Sequence, residues 1–420
     1  MGIPFYYASL IRQHSGIVRS VTKIQADVLA LDFNCLIHKY ILDSDPIQSV
    51  LRGLELVRSI CPASQTLVYL DGLVPYAKIV QQRYRRMRQK EQSEFDRNQI
   101  SPDTPFMREL ESELEKIPGI LVSGTLKQGE GEHKIFRDLR KNRGKKVVIY
   151  GLDADLILLS LYHHELASEM FLLRESQELN SPGEFGVLLI TELARILPID
   201  REQYLYLCVL CFGNDFMPNI GLFSLREGGY QRALDLYSRA GSPNLTEETG
   251  RYQFLKEASQ HEWEFMKGRK TPYEKMIIGR DQKTFSKKYY LHVVDGTQDP
   301  ESVVQAFWKT FHWTVEYFTK NKSGNWNWSY PFIDAPLLTD IVEYYETKSV
   351  SEASKVTIAK QLTFILPAVS LKTAKRKKTF LDEIYTESRL PWIKKHDWES
   401  KPWISLPWNP SADLTSISLL

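Results

Sequence analysis

Cysteine is scarce in this 420-residue chain, which holds four: Cys35, Cys61, Cys208 and Cys211. The close pair Cys208-x-x-Cys211 lies inside the apolar run YLYLCVLCF, with no second CxxC and no nearby His pair to complete a zinc site. Reduced, buried thiols of an intracellular, cytoplasmic protein are the expectation. Long apolar runs are missing too. None approaches the ~20 residues that span a bilayer, and MGIPFYYASLIRQHSG lacks the apolar segment of a secretory leader, so no membrane association is expected. Gly2 does not complete a myristoylation signal, because position 6 is Tyr instead of Ser or Thr. An excess of charge is absent as well: 54 Lys and Arg against 52 Asp and Glu leave a formal net charge of +2. Any nucleic-acid ligand therefore has to be held by local patches. Two basic patches exist. One runs from Gly72 to Lys90 with no acidic residue; the other is Lys372, Lys375, Arg376, Lys377 and Lys378, read as a solvated loop in preference to an RNA contact or a localisation signal.

What is present is the apolar content of a large core, 43% hydrophobic residues beside 25% charged ones. DVLALDF (27–33), TLVYLDG (66–72) and KVVIYGLD (146–153) read as strands that are apolar on both faces. Helical-looking stretches (46–60 and 76–97) and a Glu-rich segment (108–117) separate them. This alternation predicts an α/β fold with a mostly parallel central sheet flanked by helices. From 187 the chain reads as helical, through GVLLITELARIL and REQYLYLCVLCF. An aromatic-rich stretch follows at 306–345, then a tail rich in Trp and Pro. A soft boundary falls near 240.

Each strand candidate delivers an Asp to its carboxyl end: Asp32, Asp71 and Asp153. In an open parallel sheet those ends form the ligand crevice. Asp155 lies two residues beyond Asp153, and QGEGEHK adds Glu130 and Glu132, also two apart, a spacing that puts both on one side of extended chain. FGNDF adds Asp215. Any one of these acids has an ordinary reading as a strand end or a helix cap. Seven in one crevice would raise each other's pKa and strain the fold, a conflict that divalent cations remove. Oxygen donors favour Mg²⁺ or Mn²⁺. A surplus of carboxylates points to two ions, ~4 Å apart, the arrangement used to cleave phosphodiesters.

DGLVPYAKIVQQRYRRMRQK follows Asp71 directly. Pro75 suits a first helical turn, and Lys78, Gln82, Arg85 and Arg86 then share one helix face. A solvated basic face is the ordinary reading. Beside an acidic cluster, this face suits the phosphorylated end of a nucleic-acid chain.

These stretches together resemble the Xrn family of 5′→3′ exoribonucleases: MGIP, LDFNCLIH, LDGLVPYAKIVQQRYRRMR, ISPDTPFM, GEGEHKI, YGLDADLI, FGNDFMP and REGG (226–229), in the family's order, with NWNWSYPFIDAP (325–336) resembling the end of its second conserved region. The resemblance implies a flap-nuclease-like (PIN-like) core at 1–240, a shortened linker at 241–305, and a mainly helical second region with its tail at 306–420, packed on the core. It implies that the seven acids hold the metals, that Lys78, Gln82, Arg85 and Arg86 hold the 5′ monophosphate, and that His38 stacks on the first base opposite a Trp, Trp326 in preference to Trp328. The family's usual Lys and Trp near the start are Phe5 and Ser9 here, and the Gly after its DxN is Cys35. The shortening suggests a minimal, virus-encoded member and leaves regulation and processivity open.

The expected activity is metal-dependent 5′→3′ hydrolysis of single-stranded, 5′-monophosphorylated RNA by a monomer. Two rivals remain. A flap endonuclease acting on DNA would carry a glycine-rich helix–turn–helix after Asp215, of which GNDFMPNIGLFSLREGGYQRAL shows no clear sign. A non-catalytic RNA-binding or scaffold protein would bind RNA without releasing nucleotides.

Overall fold

The computed structural model describes residues 2–42, 44–79, 81–82, 95, 97–141, 143–175, 184–268, 278–279, 281–292, 294, 299–320, 325–332, 334–345 and 361. Seven strands form one sheet: β1 (Val18–Val21), β2 (Ala26–Asp32), β3 (Ala63–Tyr69), β4 (Ile120–Ser123), β5 (Lys146–Tyr150), β6 (Glu169–Glu175) and β7 (Phe185–Leu189), in the order β1-β7-β6-β5-β2-β3-β4. From β6 to β4 every pairing is parallel, and β7 runs antiparallel to both β6 and β1. The sheet is thus mostly parallel, as the alternation of elements predicts.

The helices are α1 (Tyr6–Gln13), α2 (Phe33–Tyr40), α3 (Pro46–Ile60), α4 (Pro105–Glu115), α5 (Gly131–Leu139), α6 (Asp155–Tyr162), α7 (Ile190–Ile196), α8 (Arg201–Phe212), α9 (Gly229–Arg239), α10 (Glu248–Lys267), α11 (Gln282–His292), α12 (Pro300–Lys320) and α13 (Leu338–Glu343). They cover both faces of the sheet, and the strand sequences show why. Successive side chains of β2 point to opposite sides. Val28 and Ala30 join a core with α1, α5, α6, α8 and α12, whereas Leu29 and Leu31 join a second core with α2, α3 and α4. Strands buried on both sides read as unbroken apolar runs. The aromatic stretch of α12, with Trp308, Phe311, Trp313 and Tyr317, packs into the same core as Ile3 and Tyr6.

Three differences from the sequence expectation have physical causes. GVLLITELARIL is not one helix: Phe185–Leu189 is a strand and only Ile190–Ile196 is helical, because a short wholly apolar run has no period to separate a strand from a buried helix. β1 and β4 have four residues each and polar or exposed positions, too few to show alternation. Finally, β3 ends at Tyr69 and β5 at Tyr150. Asp71 and Asp153 therefore stand on the loops that follow, not at the strand ends proper.

Among the described residues no helix is long and apolar enough to cross a membrane. All four cysteines are free thiols.

Candidate active site: seven carboxylates around a buried lysine

The neighbours β5, β2 and β3 supply the crevice. Their register sets Asp32 beside Tyr69 and Leu31 beside Tyr150, so the chain leaves all three strands at one level and turns across the same edge. The loops after β3 and before α5 are then tied together: the Gly72 N–H donates to the Gly129 carbonyl (3.0 Å) and the Gly129 N–H to the Leu73 carbonyl (2.8 Å). This brings Asp71 to Glu130. The Gly131 N–H donates to Asp71 Oδ1 at 2.7 Å. Gly131 sits tightly here, since a Cβ would lie 3.0 Å from the Tyr69 carbonyl oxygen and 3.1 Å from Asp32 Oδ1.

The paired acids converge through helix starts, not through the extended chain expected of their spacing. Glu130 is the N-cap of α5 and Glu132 lies in its first turn. Asp155 opens α6, with Asp153 on the loop before it. Backbone N–H groups point out of a helix start and favour negative charge there. Asp215 comes from the turn after α8, where Gly213 adopts φ +66 and a Cβ would meet the Asn219 nitrogen at 2.4 Å. Asn214 Oδ1 accepts from the Phe216 N–H at 2.8 Å and shapes that turn.

The electrostatics link all seven acids. Burial is the main cause of the raised pKa of Asp32, and Asp71, Asp153 and Asp155 raise it further. Burial and then Glu130 raise Asp71. Burial, Asp155, Glu130 and Asp32 hold Glu132 well above the usual carboxylate range. Asp155 is pushed up to about 7 by burial, Asp153 and Asp215. Against this stands Lys78. Its Nζ lies 2.5 Å from Glu130 Oε2 and 3.1 Å from Asp215 Oδ2, and its side chain is 6% exposed, so solvent screens the ion pairs little. Lys78 opposes the upward shift at Asp32, Asp71, Glu132 and Asp155.

The donor set suits a hard divalent cation. Carboxylates that raise each other's proton affinity hold oxygens for which a metal can compete. One imidazole joins them: ligand-capable atoms of Glu130, Glu132 and His133 all lie within 4.8 Å of one another. This departs from the oxygen-only set read from sequence and leaves Mn²⁺ as natural an occupant as Mg²⁺.

Several residues of the candidate site carry little or no signal in the sequence. Tyr317 reaches across from α12 and donates its hydroxyl to Glu130 Oε1 at 2.8 Å, while its ring lies 4.0 Å from that of His133. Nothing in an aromatic helix marks one Tyr out. Arg174, at the end of β6, donates to the carbonyls of Leu152 and Asp153 and stacks 4.4 Å from the Tyr7 ring. It holds the loop that presents Asp153, and a lone Arg in the apolar run EMFLLRE is the available hint. Lys134 Nζ donates to the Leu70 and Gly124 carbonyls at 2.7 and 3.0 Å, steadying the chain just before Asp71. Gly2 lies against Asp155, where a Cβ would come within 2.4 Å of its Cγ.

Of the expected phosphate face, the structure describes Lys78 and Gln82. Residues 76–79, 81 and 82 are helical. Lys78 is committed to the acids and Gln82 is half-buried one turn on. Arg85 and Arg86 lie outside the described residues, as does the basic cluster 372–378. His38 is exposed in the last turn of α2. Asn34, one turn earlier on that face, accepts from the Asp71 N–H at 3.1 Å. The two Trp differ. Trp328 donates its indole N–H to Thr310 Oγ1 (3.0 Å) and has Lys309 Nζ 4.0 Å from its ring centroid. Trp326 is half-buried, and its carbonyl accepts from the Tyr76 N–H (2.8 Å), at the start of the Lys78 helix.

Comparison with known proteins bears on this geometry. Residues 1–94 and 88–176 match the family model described as XRN 5′-3′ exonuclease N-terminus. The 5′-3′ exoribonuclease 1 of Saccharomyces cerevisiae is 28% identical over 316 residues, covering 57% of this chain and 21% of that protein. Residues 1–176 thus match the N-terminal region of the Xrn family. The human 5′-3′ exoribonuclease 1 is 31% identical over 228 residues (42% of this chain, 13% of that protein), and the 5′-3′ exoribonuclease 2 of Candida glabrata is 26% identical over 356 residues (56% and 35%). The chain spans well under half the length of these relatives. Among solved structures, the catalytic core of Rad2 in complex with DNA substrate is similar at 14% identity and a TM-score of 0.41, over 75% of this chain and 86% of that one, too loose a likeness to carry an argument.

Proposed function

We propose that this chain is a metal-dependent 5′→3′ exoribonuclease that hydrolyses 5′-monophosphorylated single-stranded RNA to mononucleotides. The observation that carries the proposal is the joining of Asp32, Asp71, Glu130, Glu132, Asp153, Asp155 and Asp215 in one largely buried electrostatic network at the sheet edge. All seven come from one chain, which supports action as a monomer. Two divalent ions bound there would supply a hydroxide at neutral pH and offset charge on the scissile phosphate and the departing 3′ oxygen.

The protein's own part is placement. The acids fix the ions. Lys78, Gln82, Arg85 and Arg86 meet the terminal 5′ phosphate, and the Lys78 ammonium is also within reach of Glu130 and Asp215. His38 and Trp326 hold the first base by stacking, at about 1–3 kcal/mol per base and with little regard for sequence. Trp326 is preferred because the Trp328 indole N–H and ring are engaged by Thr310 and Lys309. Stacking also selects single strands, since bases in a duplex are not free.

The test uses one RNA with three 5′ ends: monophosphate, triphosphate and hydroxyl. With Mg²⁺ or Mn²⁺, mononucleotides are expected from the monophosphate substrate, with little release from the others. Equal degradation of all three, or internal fragments, would overturn the reading.

A further inference from the structure

Lys78 occupies an unusual place for a phosphate ligand. Its ammonium bonds to Glu130 Oε2 at 2.5 Å and to Asp215 Oδ2 at 3.1 Å, and only 6% of its side chain meets solvent. The second oxygen of Glu130 is taken by the Tyr317 hydroxyl. A cation arriving at Glu130 or Asp215 therefore meets oxygens that already serve another cation. The side chain also lies 6.0 Å from the centroid of the Phe216 ring. The helix that carries it is anchored by the Trp326 carbonyl on the Tyr76 N–H and, one residue before Pro75, by the buried Gln361, whose Oε1 accepts from the Val74 N–H at 3.2 Å. The backbone is thus held at its start, while a Lys side chain has four rotatable carbons with which to swing.

We infer that Lys78 is a built-in counter-ion of the acidic cluster, which competes with divalent cations for Glu130 and Asp215 and is drawn off by an RNA phosphate. The inference rests on the metal-site reading above and adds a coupling to it. When Lys78 turns to a phosphate, it releases two carboxylates to the metals. Phosphate and metal then bind more tightly together than either does alone, and the effect is reciprocal. The cluster is in this way kept from full negative charge before substrate arrives, and metal loading is favoured when a phosphorylated end is in place.

A simple phosphate-binding role and the counter-ion role differ in sign for binding of metal alone. Isothermal titration of the full chain with Mn²⁺, without RNA, separates them. Lys78→Met removes the charge and keeps most of the length; Lys78→Arg keeps the charge. The counter-ion role predicts that Lys78→Met binds Mn²⁺ about tenfold more tightly than wild type, with Lys78→Arg close to wild type, even though RNA hydrolysis by Lys78→Met falls. Should Lys78→Met be too unstable for titration, its melting temperature across a Mn²⁺ series gives the same answer, because the charge repulsion left behind makes its rise with Mn²⁺ steeper than that of wild type. Unchanged or weaker Mn²⁺ affinity in Lys78→Met, or an unchanged slope, overturns the inference while wild-type binding stands. Absence of Mn²⁺ binding by wild type overturns the metal-site reading itself, and the inference with it.

Discussion

Replacing Asp155 with Asn is expected to cut RNA hydrolysis by about a thousandfold or more, and at the same time to raise the melting temperature in EDTA at pH 8 by about 2–4 °C. The two effects share a cause. Asp155 is 1% exposed and faces Asp153 and Asp215. Its charge serves the proposed metals, but without them it opposes folding. The pH dependence has a definite sign. Burial and the neighbouring acids raise the folded pKa from 3.8 to about 7. The carboxyl's stabilising contribution is therefore full below about pH 4 and is lost as pH rises through 7. Metal-free wild type should melt at a lower temperature at pH 8 than at pH 5.5, and Asp155→Asn should lose part of that difference. Divalent metal should restore the wild type more than the variant. Melting curves with and without EDTA at the two pH values, with initial rates on 5′-monophosphorylated RNA, measure all of this. An active Asp155→Asn, or one destabilised in EDTA, contradicts the account.

Gly2→Ala is expected to lower activity by about a hundredfold, since a shift of about 1 Å at a reacting group can cost that much, with a stability loss of about 1–2 kcal/mol from backbone strain. Gly2 adopts φ +64. An added Cβ would lie 2.4 Å from Asp155 Cγ and Oδ1 and 2.7 Å from its backbone nitrogen. The nitrogen cannot move without moving the start of α6, and the carboxylate cannot move without leaving the cluster. Gly16 supplies the control. It also has positive φ (+95), but nothing lies within 4 Å of its would-be Cβ. Gly16→Ala shares the strain without the collision and should cost stability alone. Equal kcat values for the two variants would remove Gly2 from the site.

Much of the candidate site was legible in the sequence because carboxylates are costly beside apolar strands, and the cost shows locally. Asp32, Asp71 and Asp153 stand after three apolar runs, and parallel pairing makes the ends of such runs neighbours. The route by which the remaining acids arrive was not legible. Glu130, Glu132 and Asp155 reach the crevice as helix starts, and whether a pair two apart is extended or helical is set by tertiary context. Tyr317 and Arg174 act through contacts of 187 and 22 residues' separation in the chain, which no local pattern records. The seat of Lys78 is the clearest case. Its helical spacing with Gln82 suggests a shared phosphate face, yet burial draws its ammonium to the nearest carboxylates. Of the fold, the parallel centre followed from the βα alternation. The antiparallel β7 did not, since FGVLL carries no period of its own.

The most direct test of the central claim is anomalous scattering from crystals of the protein soaked in Mn²⁺. Two peaks about 4 Å apart, within coordinating distance of the carboxylates of Asp32, Asp71, Glu130, Glu132, Asp153, Asp155 and Asp215, are expected, with both lost in Asp153→Ala/Asp155→Ala. Absence of Mn²⁺ from this cluster at concentrations that support RNA hydrolysis, with hydrolysis intact, would contradict it.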